Sequence, residues 1–302
     1  MTKPLILVTG ATGKTGAPVV EQMLERGYNV RAFVHRLDQR STRLAGLGAE
    51  IVAGDILDLA AVRAALKGVG RVYFCFTPHS AHLPQATANI AIAAHDEGIE
   101  ALVNMSQVSA REETKSPLAF QHWQAELVLD WADIGASHIR PTFFAEDLYL
   151  FTGKSIPDEG KIYLPFGTGK HAPVAAADIA SVVCGILDDP EPHIGQRHVI
   201  TGPKDMSVAE MAEVFTQELG KPVDYVDLPV KQWRTVLVEK AGMPEFLATH
   251  LAAVAIDHQN GVFSARTDIV ERIGGRAPQS LADFIRAHMA EFSSSQPSAS
   301  AA

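Results

Sequence analysis

The apolar residues of this chain fall into short runs separated by stretches of helical period. The first run, Leu5-Ile6-Leu7-Val8, leads into Thr9 and Gly10-Ala11-Thr12-Gly13-Lys14-Thr15-Gly16. Beyond it Val19, Val20, Met23 and Leu24 recur at helical spacing until Gly27. That order predicts strand, glycine turn and helix. Pro18 removes one helix N–H, so the regular helix is expected to begin a little after the glycines. Further strands are expected over 29–34, 50–55, 71–78, 100–106 and 137–141, and helices over 57–66, 84–97 and 118–131. Strands alternating with helices imply a parallel sheet with helices on both faces and right-handed crossovers.

After residue 150 the pattern loosens. Gly153, Pro157, Gly160, Pro165, Gly167 and Gly169 make 153–170 irregular, with at most a short strand over 161–164. A helix is expected over 175–188 and a seventh strand over 197–201. Ser207 and Glu210 have capping-box spacing and open a helix to 219. A strand at 222–228 and helices at 231–242, 245–260 and 281–292 complete the reading. No internal repeat is visible. The expected fold is a doubly wound α/β sheet of Rossmann type over 1–150, continued by 171–201. A smaller helix-rich cap is expected from 151–170 and 202–292. The small, polar stretch 293–302 is expected to be disordered.

Composition narrows the function. The chain of 302 residues is 47% hydrophobic and 20% charged, ordinary for a soluble globular protein. A net charge of -9, without a Lys/Arg run, argues against a nucleic-acid surface. Cys75 and Cys184 stand far apart without metal-type spacing, which fits a reducing compartment. The N-terminal apolar run is too short for a signal peptide, and no stretch is long enough to span a bilayer. A cytoplasmic protein is expected. The scattered histidines suggest no metal site.

The glycine turn carries the first candidate chemistry. Glycines let a backbone pass close to a ligand's phosphates, and the helix N–H groups with their dipole then face the anion. Placed after a buried strand and before an amphipathic helix, the turn reads as a dinucleotide diphosphate site. The second strand ends in His35-Arg36, where an NAD site would carry an acidic residue for the ribose 2′-hydroxyl. No carboxylate follows until Asp38, so a 2′-phosphate, and hence NADP(H), is favoured. Arg31 and Arg36 also read as solvated surface charges. Asp55, at a strand's C-terminal end, suits the adenine amino group; alternatively Asp55 or Asp58 caps the next helix.

Together the Gly10-x-x-Gly13-x-x-Gly16 turn, Val30 to Arg36, Gly54-Asp55, His122-x-x-x-Glu126 and Arg140-Pro141-Thr142-Phe143-Phe144 resemble the NmrA-like atypical short-chain dehydrogenase/reductases, and within them a quinone-reductase branch. The likeness covers residues 3–290 and is strongest in the first half. It implies NADP(H) bound by Gly10, Thr12, Gly13, Lys14, Thr15, Gly16, His35, Arg36, Asp55 and Ile56. It also implies that Phe76, Thr77, Pro78 and Met105 approach the cofactor, and that Pro141, Phe143 and Phe144 line its nicotinamide side. A monomer or homodimer is the implied assembly.

One departure matters. Short-chain dehydrogenases use Ser with Tyr-x-x-x-Lys, the tyrosine giving a proton to a developing alkoxide. Here Ser106 matches the serine, but His122 and Glu126 occupy the tyrosine and lysine positions on one helix face. An alkoxide is as basic as hydroxide, its acid having a pKa of roughly 16, whereas a phenol-like hydroquinone has roughly 10. A quinone therefore needs less help from an acid, and a weak donor such as Gln107 or His122 suffices. Glu126 orients His122 or binds the cofactor ribose; the alternative is a hydrogen-bonded pair on the helix surface. Phe76, His79, Phe143, Phe144, Leu148, Tyr149 and Phe166 are candidates to wall a flat aromatic substrate, though each taken singly also suits the core, as does Trp233. Asp178 reads as a cap or anchor. Two functions follow: an NADPH-dependent reductase of quinones or similar conjugated acceptors, or an NADP(H)-sensing regulatory protein.

Overall fold

The apolar runs of residues 5–200 come together as one sheet. The computed structural model describes residues 3–78, 81–152 and 154–293; His79 and the tail beyond 293 lie outside them. The strands are β1 (Leu5–Thr9), β2 (Val30–Val34), β3 (Glu50–Ala53), β4 (Val69–Phe74), β5 (Ala101–Met105), β6 (Ala136–Pro141), β7 (Lys161–Leu164), β8 (Lys170–His171), β9 (Arg197–Ile200), β10 (Met206–Ser207) and β11 (Asp224–Asp227). Seven form a parallel sheet in the order β3-β2-β1-β4-β5-β6-β9. The order reverses between β1 and β4, which opens a crevice at the carboxyl ends of these strands.

Helices α1 (Gly16–Glu25), α2 (Gln39–Gly46), α3 (Leu59–Leu66), α4 (Leu83–Glu97) and α5 (Pro117–Trp131) alternate with the strands, followed by α6 (Ala145–Thr152), α7 (Ser155–Glu159) and α8 (Ala176–Asp188). Successive strand side chains point to opposite faces. Ile6 and Val8 accordingly pack with Val19 and Met23 of α1 and Ile179 and Val183 of α8. Leu7 faces the other way, toward Val62, Ile90 and Leu129 of α3, α4 and α5. Burial on both faces is why β1 is apolar without alternation. The expected later start of α1 is corrected: it begins at Gly16. Pro18 falls in the first turn, where the N–H has no intrahelical partner to lose.

The second half adds α9 (Val208–Leu219), α10 (Val230–Glu239), α11 (Glu245–Gln259), α12 (Ile269–Arg272), α13 (Leu281–Ala287) and α14 (Met289–Ser293). Its core joins Leu164, Met211, Phe215, Trp233, Phe284 and Phe292. The Ser207–Glu210 capping box forms. Three details differ from expectation. Residues 153–170 include helix α7, the expected helix 281–292 breaks at His288, and α2 and α12 were not anticipated. Helix α2 escapes the apolar pattern because only Ser41 and Leu44 of its residues are buried; Asp38 holds its N-terminus in a capping box.

Candidate functional site

Three glycines shape the turn after β1. A Cβ on Gly16 would sit 2.1 Å from the Gly10 carbonyl oxygen, and one on Gly13 3.1 Å from that atom. Gly10 itself has φ 56° and lies against the Cys75 carbonyl. The Gly13 N–H closes the turn onto Gly10 O at 2.9 Å. The Thr9 hydroxyl ties the turn to the end of β4, accepting from Cys75 N at 2.8 Å and donating to Cys75 O at 2.9 Å. Among the described residues, no backbone carbonyl takes the N–H groups of Lys14 or Thr15. Gly10, Gly13 and Lys14 are exposed. An open turn of free N–H groups at a helix N-terminus fits a diphosphate. Thr15 contributes only main chain, because its hydroxyl turns inward to Tyr73 Oη at 2.8 Å. Lys14 Nζ reaches Asp147 Oδ1 of α6 at 2.9 Å. Burial pushes the Asp147 carboxyl up, and Lys14 opposes that shift.

At the end of β2 the cations separate. Arg31 is 14% exposed and pairs with Glu50 at 2.9 Å, while donating to the Ala65 and Lys67 carbonyls. Its reading as a solvated charge is thereby corrected. Arg40 closes on Asp38. His35 and Arg36 are exposed, and Arg36 makes no ion pair among the described residues. Asp55 Oδ1 accepts from Leu57 N at 2.9 Å, whereas Asp58 caps α3 through Ala60 N. Ile56 and Phe76 are half-buried; Thr77 and Pro78 are exposed.

Under α5 the arrangement differs most from expectation. Glu126 is fully buried. It accepts from Ser106 Oγ at 2.5 Å, from Arg140 Nε and Nη2 at 2.8 and 2.5 Å, and from Arg197 Nε at 2.9 Å. Burial opposes its ionisation, but Arg140 and Ser106 win and hold its pKa below the usual value. Asp130 extends the network to Arg197 at 2.5 Å and to His138 Nε2 at 2.8 Å. The surface-pair reading of His122 and Glu126 is corrected: both are buried, and the lone pairs of Glu126 are spent on other partners. His122 is 9% exposed. Burial depresses its pKa to about 4, against the charge of Glu126 and a hydrogen bond to the Met105 backbone. Among the described residues its Nδ1 has no partner. Gln107 Oε1 takes a bond from Ser109 Oγ at 2.7 Å, which leaves its amide N–H groups as donors.

Several candidate wall residues sit inside the core formed with Met211, Phe215, Trp233 and Phe284. Phe143, Leu148 and Phe166 are buried together. The Phe143 ring centre lies 5.8 Å from Phe166 and 4.8 Å from His171, and Phe166 stacks on His258 at 4.0 Å. Tyr149 stacks on Phe284. Phe144 bridges to Val174, and Met105 and Pro141 are the last residues of β5 and β6. Trp233 is likewise core. Asp178 anchors the chain through Gln279 N at 2.7 Å and Arg276 at 3.3 Å. Arg197, the bonds of Arg140 to Glu126, and the contacts Arg111–Asp257 and Ser116–His250 escaped sequence reasoning. Each joins residues distant in the chain. Among the described residues no group of three His, Cys, Asp or Glu side chains suits a metal, and no helix is long and apolar enough to cross a membrane.

A model of the NmrA-like family matches residues 2–282. The chain belongs to the NmrA-like family. The NAD(P)H azoreductase of Xenophilus azovorans is 31% identical over 294 residues, covering 95% of this chain and 99% of that protein. The NADPH-dependent quinone oxidoreductase of Escherichia coli, solved with NADPH, superposes with TM-score 0.85 at 23% identity over 94% of this chain and 99% of that one. NmrA, a negative transcriptional regulator solved with NADP, superposes with TM-score 0.74 at 18% identity over 95% and 91%. These two likenesses show the shared fold of the NmrA-like proteins.

Proposed function

We propose that this NmrA-like chain is an NADPH-dependent oxidoreductase that delivers hydride to a quinone or a similarly conjugated aromatic acceptor. The observation that carries this reading is the commitment of Ser106 to Glu126. The Ser106 proton points at a carboxylate, and that carboxylate is held as an anion by two guanidinium groups. Neither can protonate an alkoxide. His122 and Gln107 remain, both neutral and both weak donors. They suit an acceptor whose reduced form is phenol-like, at a pKa of roughly 10. A relative named as a quinone oxidoreductase has an acceptor of that kind in its name, and another is named as an azoreductase.

The cofactor supplies the hydride; the chain's part is positioning and charge. The N–H groups of Lys14 and Thr15, with the dipole of α1, hold the diphosphate where Gly10, Thr12, Gly13 and Gly16 leave room. Lys14 shares its charge between that diphosphate and Asp147. Arg36, aided by His35, faces the 2′-phosphate. The free oxygen of Asp55 accepts from the adenine amino group, with Ile56 and Phe76 beside the ring. Thr77, Pro78 and Met105 follow the cofactor along the sheet edge, and Pro141, Phe143 and Phe144 close its nicotinamide side. Tyr149 stands at the substrate side, with Leu148 and Phe166 backing it from the cap core. Residues 1–150 with 171–201 form the nucleotide-binding unit in this reading, and 151–170 with 202–292 the substrate unit.

The second reading is an NADP(H)-sensing binding protein, favoured by the same shortage of proton donors. Purified protein mixed with NADPH and a panel of quinones separates the two through the nicotinamide absorbance. Oxidation above the protein-free rate supports the reductase. Tight NADPH binding without oxidation by any acceptor leaves the sensor.

A further inference from the structure

A short relay of hydrogen bonds fixes which way the Gln107 amide faces. Ser106 N donates to Ile139 O at 2.8 Å and Val108 N to Pro141 O at 3.3 Å. The chain on either side of Gln107 therefore follows β6 to its carboxyl end, where ligands of open parallel sheets gather. Ala110 N closes a turn onto Gln107 O at 3.1 Å. Inside that turn Ser109 is fully buried, and its Oγ lies 2.7 Å from Gln107 Oε1. Burial sets the direction of this bond. The Ser109 proton has no other acceptor among the described residues, and a buried proton left unspent is costly. Ser109 therefore donates and Gln107 Oε1 accepts. The Nε2–H groups lie on the other side of the amide. They have no partner among the described residues, and Gln107 is only half-buried.

Ser109 is held in turn from α11. Arg111 Nη1 donates to Ser109 O at 3.1 Å and to Asp257 Oδ2 at 3.0 Å, and Arg111 Nη2 donates to Asp257 Oδ1 at 2.6 Å. Asp257 is 6% exposed. Seven residues before it, on the same face of α11, His250 Nδ1 meets Oγ of Ser116, the N-cap of α5, at 2.6 Å. One helix face thus pins the loop between β5 and α5 at its middle and at its end.

We propose that Ser109 and Asp257 are positioning residues that hold the Gln107 amide as a hydrogen-bond donor to the acceptor oxygen on which negative charge develops. The role rests on the reductase reading above and adds α11 to it. On hydride transfer a quinone gains two electrons and one proton from NADPH, which leaves as NADP⁺. The quinone becomes the hydroquinone monoanion, and a proton from water completes the hydroquinone. Gln107 transfers no proton. A hydrogen bond to an ionised oxygen is about twice as strong as one between neutral groups. A fixed amide therefore favours the developing anion over the neutral quinone, and such differential binding is what accelerates a reaction. An amide free to rotate would also present its oxygen, which repels the anion.

The test is binding of 4-nitrophenolate, an anionic stand-in for the product, and of its methyl ether, 4-nitroanisole, to the full-length protein with NADP⁺. No turnover occurs, so quinone reduction by the wild type judges the reductase reading separately. Ser109→Ala and Gln107→Leu should each weaken phenolate binding about tenfold without weakening the ether. The double variant should lose no more than either alone, because both changes act through one hydrogen bond. Asp257→Asn should give a smaller loss, for the phenolate only, and none in the Gln107→Leu background. Additive losses, a loss shared equally by the ether, full phenolate affinity in Ser109→Ala, or a wild type that does not bind the phenolate overturns the proposal. If Asp257→Asn does not fold, the Ser109–Gln107 cycle decides.

Discussion

Glu126 and Arg140 form a two-pronged ion pair beneath α5, at 2.8 and 2.5 Å. Arg197 completes a triad around a carboxylate that is 1% exposed. A lysine at this position would serve a neighbouring tyrosine; here an anion fastens α5 to β6 and β9. Removing one partner of a buried ion pair leaves unpaired charge behind, at about 3–5 kcal/mol. Glu126→Ala should therefore lower stability by about that amount in denaturant titration, with activity per folded molecule largely kept. A variant of unchanged stability whose turnover collapses would show that Glu126 acts on the reaction itself.

Arg36 is exposed and unpaired among the described residues, whereas Arg31 and Arg40 are engaged by Glu50 and Asp38. A charge-assisted hydrogen bond contributes about 1.5–3 kcal/mol. Arg36→Ala should therefore weaken NADPH binding by about 10- to 150-fold while NADH binding changes little. Calorimetric titration with both nucleotides checks this, and equal weakening contradicts the 2′-phosphate assignment.

Three of the buried histidines show how the fold gains an acid-sensitive edge. Burial lowers His122 to about 4 and His171 and His250 to about 3, from 6.5. As pH falls through 6.5 the unfolded chain gains protons that the folded chain refuses. Stability is thus full above 6.5 and declines until the folded-state values are reached. Between pH 6.5 and 5 each such group removes about 2 kcal/mol. Tm should fall steadily across that interval, with little help from salt because the groups are buried. A flat Tm from pH 7 to 5 would mean these imidazoles are solvated.

The sheet and its glycine turn were legible because each rests on local chemistry. Ile6, Leu7 and Val8 are apolar since both faces of β1 are covered, and Gly16 is glycine since Gly10 O occupies the place of its Cβ. Helix α2 was not legible, because its capping box at Asp38 holds a segment with almost no apolar face. The site divides in the same way. His122 and Glu126 announced themselves by spacing, but their partners did not. Arg197 lies 71 residues from Glu126, and His250 lies 134 residues from Ser116. No period in the chain encodes those meetings. Phe166 and Leu148 flank the loops expected to face a ligand and were read as suiting pocket or core; both are buried with Trp233 and Phe284.

The most direct measurement is single-turnover oxidation of equimolar NADPH by a benzoquinone, with deuterium placed in turn at each face of nicotinamide C4. If the turn holds the cofactor and the sheet edge presents one face to the acceptor, the protein should accelerate oxidation above buffer. Deuterium on one face alone should slow it. Tight NADPH binding with no acceleration, or a rate indifferent to the label on either face, would contradict that account.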